Sequence, residues 1–167
     1  MSSMFYFEIL EAHHKEGIAY LAVGGLAVNL HGVPRTTQDI DVIISTDRDN
    51  VEKLCVMLAR LGYKPRLPVD PVEMSDPETR RDWIEKRNLK AFSFYHEKIS
   101  YKVFDIVLDQ PIRFEDAFKR RKTVQVSDIT VNVMHIDDLI TMKKGSGRPR
   151  DLSDVEMLEE AKKFQRL

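Results

Sequence analysis

The stretch from Ile18 to Ile44, IAYLAVGGLAVNLHGVPRTTQDIDVII, constrains the fold more than any other. Residues 18–23 are an apolar run of strand length, and Gly24-Gly25 reads as a turn. Leu26–His31 then has a helical pattern that Gly32 and Pro34 stop. Asp39–Ile44 reads as a second strand. Strand residues two apart share a face, roughly 6–7 Å from one another. Asp39 and Asp41 therefore set two carboxylates side by side on a strand that is otherwise apolar. Like charges in that position repel and resist burial. They become chemically sensible when a divalent cation stands between them.

The rest of the chain alternates similar pieces. Phe5–Lys15 predicts an amphipathic helix with Phe5, Ile9 and Ala12 at helical spacing. A helix capped by Asp47 or Asp49 runs to about Leu61, its apolar face formed by Val51, Leu54, Cys55, Leu58 and Leu61. Tyr63–Val69 looks like an irregular edge strand. Residues 70–90 are a polar excursion in which Asp76-Pro77-Glu78 opens a short helix. Ala91–Tyr95 and Tyr101–Leu108 read as strands, the second planting Asp105 among apolar neighbours. A helix near Phe114–Arg120 and strands at Thr123–Val126 and Ile129–Val133 follow. The C-terminal part, 135–167, is helical: His135–Lys144 and about Asp151–Phe164, joined across Gly145–Pro149. The alternation predicts an α/β (α+β) fold, one domain over 1–167 with a mixed twisted β-sheet flanked by helices and closing in C-terminal helices.

With 167 residues, 43% of them hydrophobic, the chain is long enough to bury a core of its own. A net charge of -1 supplies no global field for nucleic acid or membrane, so any polyanion must be met by local clusters. One cysteine, Cys55, cannot close an internal disulfide, which suits a reducing compartment. No run approaches the ~20 apolar residues of a membrane span, and the cytoplasm is the expected location.

Three strand acids, Asp39, Asp41 and Asp105, form the first candidate site. If strand 101–108 lies beside strand 39–44, they can hold two magnesium ions about 4 Å apart, bridging carboxylates to substrate phosphates. Gly24 and Gly25 form the second element, since glycines between strand and helix let a phosphate approach the backbone. Gly-Gly also ends many strands without binding anything. Arg35, Thr36 and Thr37 offer a cation and two hydroxyls just before the carboxylate strand, and a solvated loop is the competing reading. Lys143–Asp151 packs four cations into eight residues. Lys143 and Arg148 can reach phosphates there, while Asp151 caps the last helix with Asp154 in its first turn. The five histidines and Trp83 read as structural.

Together these blocks resemble the nucleotidyltransferase superfamily with the DNA polymerase beta palm fold. The quoted order is Val23-Gly24-Gly25, a spacer over Leu26–Gln38, Asp39-Ile40-Asp41, and Asp105 within Val103–Val107. The run from Gly24 to Asp41 is similar to the minimal, abortive-infection-toxin and lincosamide-type nucleotidyltransferases. Lys144–Asp154 approximates a late stretch found in those relatives. The resemblance implies transfer of a nucleoside monophosphate from an NTP such as ATP to an unknown acceptor (small molecule, tRNA or protein), releasing pyrophosphate. It implies Asp39, Asp41 and Asp105 as catalytic metal ligands for two Mg2+ ions. Gly24, Gly25, Arg35, Thr37, Lys143 and Arg148 are implied as nucleotide contacts. The alternative it leaves is a noncatalytic nucleotide- or partner-binding member of a toxin–antitoxin-like system with a cognate antitoxin.

Overall fold

A computed structural model describes residues 2–165, with side chains from Tyr6 onward. Its strands are β1 (Tyr20–Val23), β2 (Ile40–Ile44), β3 (Tyr63–Pro65), β4 (Ala91–His96), β5 (Val103–Val107), β6 (Lys122–Val126) and β7 (Ile129–Val133). The helices are α1 (Ser2–Lys15), α2 (Gly24–Leu30), α3 (Arg48–Arg60), α4 (Pro77–Arg87), α5 (Phe114–Lys119), α6 (Ile136–Ser146) and α7 (Pro149–Gln165). All seven strands join one mixed sheet in the order β3-β4-β5-β2-β1-β7-β6. β1 and β2 pair antiparallel around α2, while β2 and β5 lie parallel at the centre. No described helix is long and apolar enough to cross a membrane.

Alternation along the strands gives the sheet two unlike faces. One carries Ile40, Val42, Phe92, Phe94, Phe104 and Ile106, all buried. His13 of α1 packs edge-on to Tyr20 with ring centroids 4.7 Å apart, and Trp83 of α4 stacks on Phe92 at 5.5 Å. The other face is filled over β1 and β2 by α2, whose Leu26, Ala27 and Val28 are buried. Over β4 and β5 it is left partly bare: Ala91, Ser93, Val103, Asp105 and Val107 are half-buried and Tyr95 is exposed.

Boundaries differ from the sequence reading where the chain makes tight contacts. Gly24 and Gly25 do not precede α2 as a turn; they are its first two residues. Asp39 sits at a bend just before β2, so only Asp41 is a strand residue. Gly145 and Ser146 complete α6, and Gly147 in left-handed backbone (φ 66°) ends it. On α3, Met57 takes the fully buried place the sequence reading gave to Leu61, while Cys55 is half-buried. The polar excursion is pinned to the core by Met74 and Trp83. Its helix starts as expected, with the Asp76 carboxylate accepting the Thr79 N–H at 3.0 Å and Pro77 in the first turn.

Candidate active site

Strand register brings the acids together. Asp41 on β2 lies directly opposite Asp105 on β5, and Asp105 in turn lies opposite Ser93 on β4. Asp39 approaches from the bend two residues before Asp41. Burial pushes the Asp41 carboxyl up to about 7, and the charges of Asp105 and Asp39 add to it. A hydrogen bond to Asp105 raises it further, with Lys143 opposing. Asp39 is also raised, first by burial and then by Asp105, while Arg66 and Arg150 pull the other way. The buried Asp105 Oδ1 has no hydrogen-bond partner among the described residues. None of the three carboxylates is sealed off; each is half-buried.

Asp39 and Asp41 are raised by burial and by their acidic neighbours, and an orphaned buried oxygen of Asp105 stands with them. Such a group is chemically suited to a hard divalent cation, whose oxygen ligands these are. Among the described residues no three acidic, imidazole or thiol groups already surround a common point as ligands would. Asp41 and Asp105 meet through a shared hydrogen bond instead.

The two glycines are explained by what presses on them. Gly24 has φ +64°, and a Cβ there would collide with the Asp41 carboxylate and meet its Cβ at 2.9 Å. A Cβ on Gly25 would meet Thr37 Oγ1 at 2.6 Å and Arg35 Cζ at 3.3 Å. Asp41, Thr37 and Arg35 thus lie directly on the first turn of α2. Tyr6 closes the same corner by donating its hydroxyl to the Thr37 carbonyl at 2.5 Å, and its own ionisation is suppressed by burial and by Asp39 and Asp41.

The cations expected at phosphates are mostly engaged elsewhere. Lys143 is 6% exposed, and its Nζ donates to Asp154 at 3.0 Å and to Asp151 at 3.3 Å. Arg35 Nη1 donates to the same Asp154 oxygen at 2.5 Å. Arg148 Nε and Ser146 Oγ both donate to Asp151 Oδ2, at 2.8 and 2.5 Å. The sequence reads Asp151 as the cap of the last helix with Asp154 in its first turn; α7 instead begins at Pro149, and both carboxylates hold Lys143. Burial works against the Asp151 charge, but Ser146 and Lys143 hold it below its ordinary range. Arg150, by contrast, is exposed and donates to the Thr36 carbonyl at 3.1 Å, beside Asp39.

Sequence reasoning missed Arg66, Arg150 and Tyr6 as neighbours of the acids. Arg150 lay within a stretch already singled out; Arg66 carried no signal, because only the pairing of β3 with β4 brings it near. A surface depression of about 580 Å³ lies on the excursion between Glu73 and Arg87 and shares no residue with this cluster.

A family model described as nucleotidyltransferase of unknown function (DUF6036) matches residues 6–163, nearly the whole chain. The chain belongs to that family. This nucleotidyltransferase is similar in fold to the lincosamide antibiotic adenylyltransferase LnuA with lincomycin bound. The TM-score is 0.63 at 18% identity over 95% of this chain and 96% of that one. It is also similar to ANT(2")-Ia in complex with adenylyl-2"-tobramycin, with a TM-score of 0.56 at 12% identity, covering 95% of this chain and 91% of that one. A solution structure of ANT(2'')-Ia gives 0.57 at 12% identity over 98% and 90%. No curated protein matches the chain by sequence.

Proposed function

We propose that this nucleotidyltransferase moves a nucleoside monophosphate from an NTP to an acceptor hydroxyl at the cluster of Asp39, Asp41 and Asp105. The observation that carries the reading is the β2–β5 register, which sets Asp105, with its buried Oδ1 partnerless among the described residues, opposite an Asp41 whose charged form is disfavoured. Such an arrangement costs folding energy and makes sense as a site. Asp39 and Asp41 would hold divalent magnesium together with Asp105; bound there, the metal neutralises phosphate charge and polarises the reacting oxygens. In the transfer, the acceptor oxygen bonds to the α-phosphorus as the bond to pyrophosphate breaks. Asp105, at the β4 side of the cluster, receives the hydroxyl proton directly or through water. No covalent intermediate on the protein is required, and rate comes from in-line positioning and electrostatics.

The triphosphate would lie on the other side of Asp41, where Gly24 meets its carboxylate and Gly25 lies against Thr37, with Arg150, bonded to the Thr36 carbonyl, offsetting its charge. Arg35 and Lys143 would act there through Asp154, as fixed parts of the wall, with Arg148 holding Asp151 at its rim. Calorimetry with each of the four NTPs, with and without Mg2+, should give magnesium-dependent binding. Labelled nucleotide should transfer to an acceptor in cell extract with wild type and not with Asp39→Ala or Asp41→Ala. Equal labelling by wild type and both variants would remove the reading.

A further inference from the structure

The bare half of the sheet lies on the far side of Asp105 from the glycines, and its make-up is unlike that of the acid cluster. Of the β4 and β5 residues turned to this face, Ala91, Ser93, Tyr95, Val103 and Val107 are neutral, and Asp105 alone is acidic. Ala91 pairs with Val107 and Tyr95 with Val103, so the face is a small apolar floor on either side of the Ser93–Asp105 pair. On the outer side, β3 contributes Lys64, which is tied to Glu97 at 2.5 Å. One residue past the end of β3, the Arg66 backbone N–H donates to the Ser93 carbonyl at 2.9 Å. That bond extends the ladder and places Arg66 at the end of the row Asp41–Asp105–Ser93. Its side chain is exposed, with no hydrogen bond or ion pair among the described residues.

We propose that this floor is the acceptor subsite, that Arg66 determines its specificity, and that the acceptor is a small hydroxyl compound carrying a phosphate or carboxylate group. The inference rests on the transfer reading above, which puts the triphosphate on the glycine side and leaves the Asp105 side to the acceptor. A guanidinium with no protein partner matches the planar oxygen pair of a carboxylate or phosphate. A polycationic acceptor needs acidic groups beyond those that serve the chemistry, and the floor offers none. Tyr95 and Val103 supply flat, partly apolar contact for a sugar or base.

The test offers labelled NTP and Mg2+ with four acceptors: a nucleoside 5′-monophosphate, gluconate, lincomycin and tobramycin. Wild type should label the monophosphate or gluconate at least about tenfold faster than either antibiotic, and the preferred one identifies the anionic group. Arg66→Glu should lower kcat/KM for that acceptor by about ten- to a hundredfold, the range for one charged hydrogen bond. Calorimetric NTP binding should stay unchanged in the same variant, which also shows it folded. Preference for tobramycin or lincomycin, no labelling of either anion, or full activity of Arg66→Glu overturns the proposal. If wild type binds no NTP, the transfer reading itself fails, and that result is distinct from binding without transfer to an anion.

Discussion

Gly24 has no tolerated substitute while Asp41 keeps its place. Two independent penalties fall on an alanine there: the left-handed backbone at φ +64° and a collision with the Asp41 carboxylate. Gly17 provides an internal control, since it has the same φ of +64° and nothing within 4 Å of its added Cβ. Gly17→Ala should therefore cost only the conformational strain, about 1–2 kcal/mol. Gly24→Ala should cost roughly 2–4 kcal/mol, as overpacking adds to strain. Urea unfolding of both variants measures the difference. In Asp41→Ala the penalty of Gly24→Ala should shrink part of the way toward that of Gly17→Ala, because the double substitution removes the carboxylate and leaves only the residue 41 Cβ at 2.9 Å. Equal penalties with and without Asp41 would contradict the packing argument. The sequence showed the glycines as punctuation next to a strand. That Gly24 makes room for a carboxylate seventeen residues later depends on the β1–β2 pairing, and no local pattern encodes it.

Between elements, Asp154 does the most. It joins the loop before β2, through Arg35, to both C-terminal helices, through Lys143 and its own backbone on α7. Asp154→Ala leaves Lys143 buried with one remaining acid and Arg35 with no ion-pair partner among the described residues. It should cost about 3–5 kcal/mol, as removal of one member of a buried pair does. Glu52→Ala, breaking the exposed Arg48–Glu52 pair on α3, should stay within about 0.5 kcal/mol. Chemical denaturation of the two variants checks the contrast; similar small losses would show that the network is not stabilising. The elements themselves were largely legible, because strand runs, the Asp76-Pro77 helix start and the Gly stops are local signals. The role of Lys143 was not. A lysine beside glycines reads as an exposed phosphate contact, and only the packing of α6 against α7 turns it inward.

At the scale of the whole molecule, the sheet divides its labour between faces: one is packed with aromatic rings, and the other bears the acids and the bare floor. The alternation of β2 and β5 made that division readable, as did the placement of Asp41 and Asp105. The convergence of Asp105 required knowing which strands are neighbours, and that came from resemblance and not from spacing. The packed face carries a cost that shows in acid. His13 sits at 1% exposure between Tyr20 and Phe104, with Nδ1 against the Ile9 carbonyl at 2.7 Å and no partner for Nε2 among the described residues. Burial lowers it from 6.5 to about 4, against a smaller opposing pull from the Ile9 carbonyl and Glu16. Below pH 6.5 the unfolded chain takes up a proton there that the native state refuses, so the contribution of this ring lowers stability as pH drops toward 4. The full loss is about 3 kcal/mol at roughly 1.4 kcal/mol per pH unit. His31, also buried and lowered, contributes in the same direction. Protonation of Asp41, raised to about 7, works in the opposite direction over the same window in wild type and variant alike. The test is therefore the difference: the wild-type urea midpoint should fall relative to that of His13→Gln, whose side chain cannot take a proton, from pH 7 through 6 to 5. A difference between the two midpoints that holds constant over that window would mean that the ring is not buried neutral against the sheet.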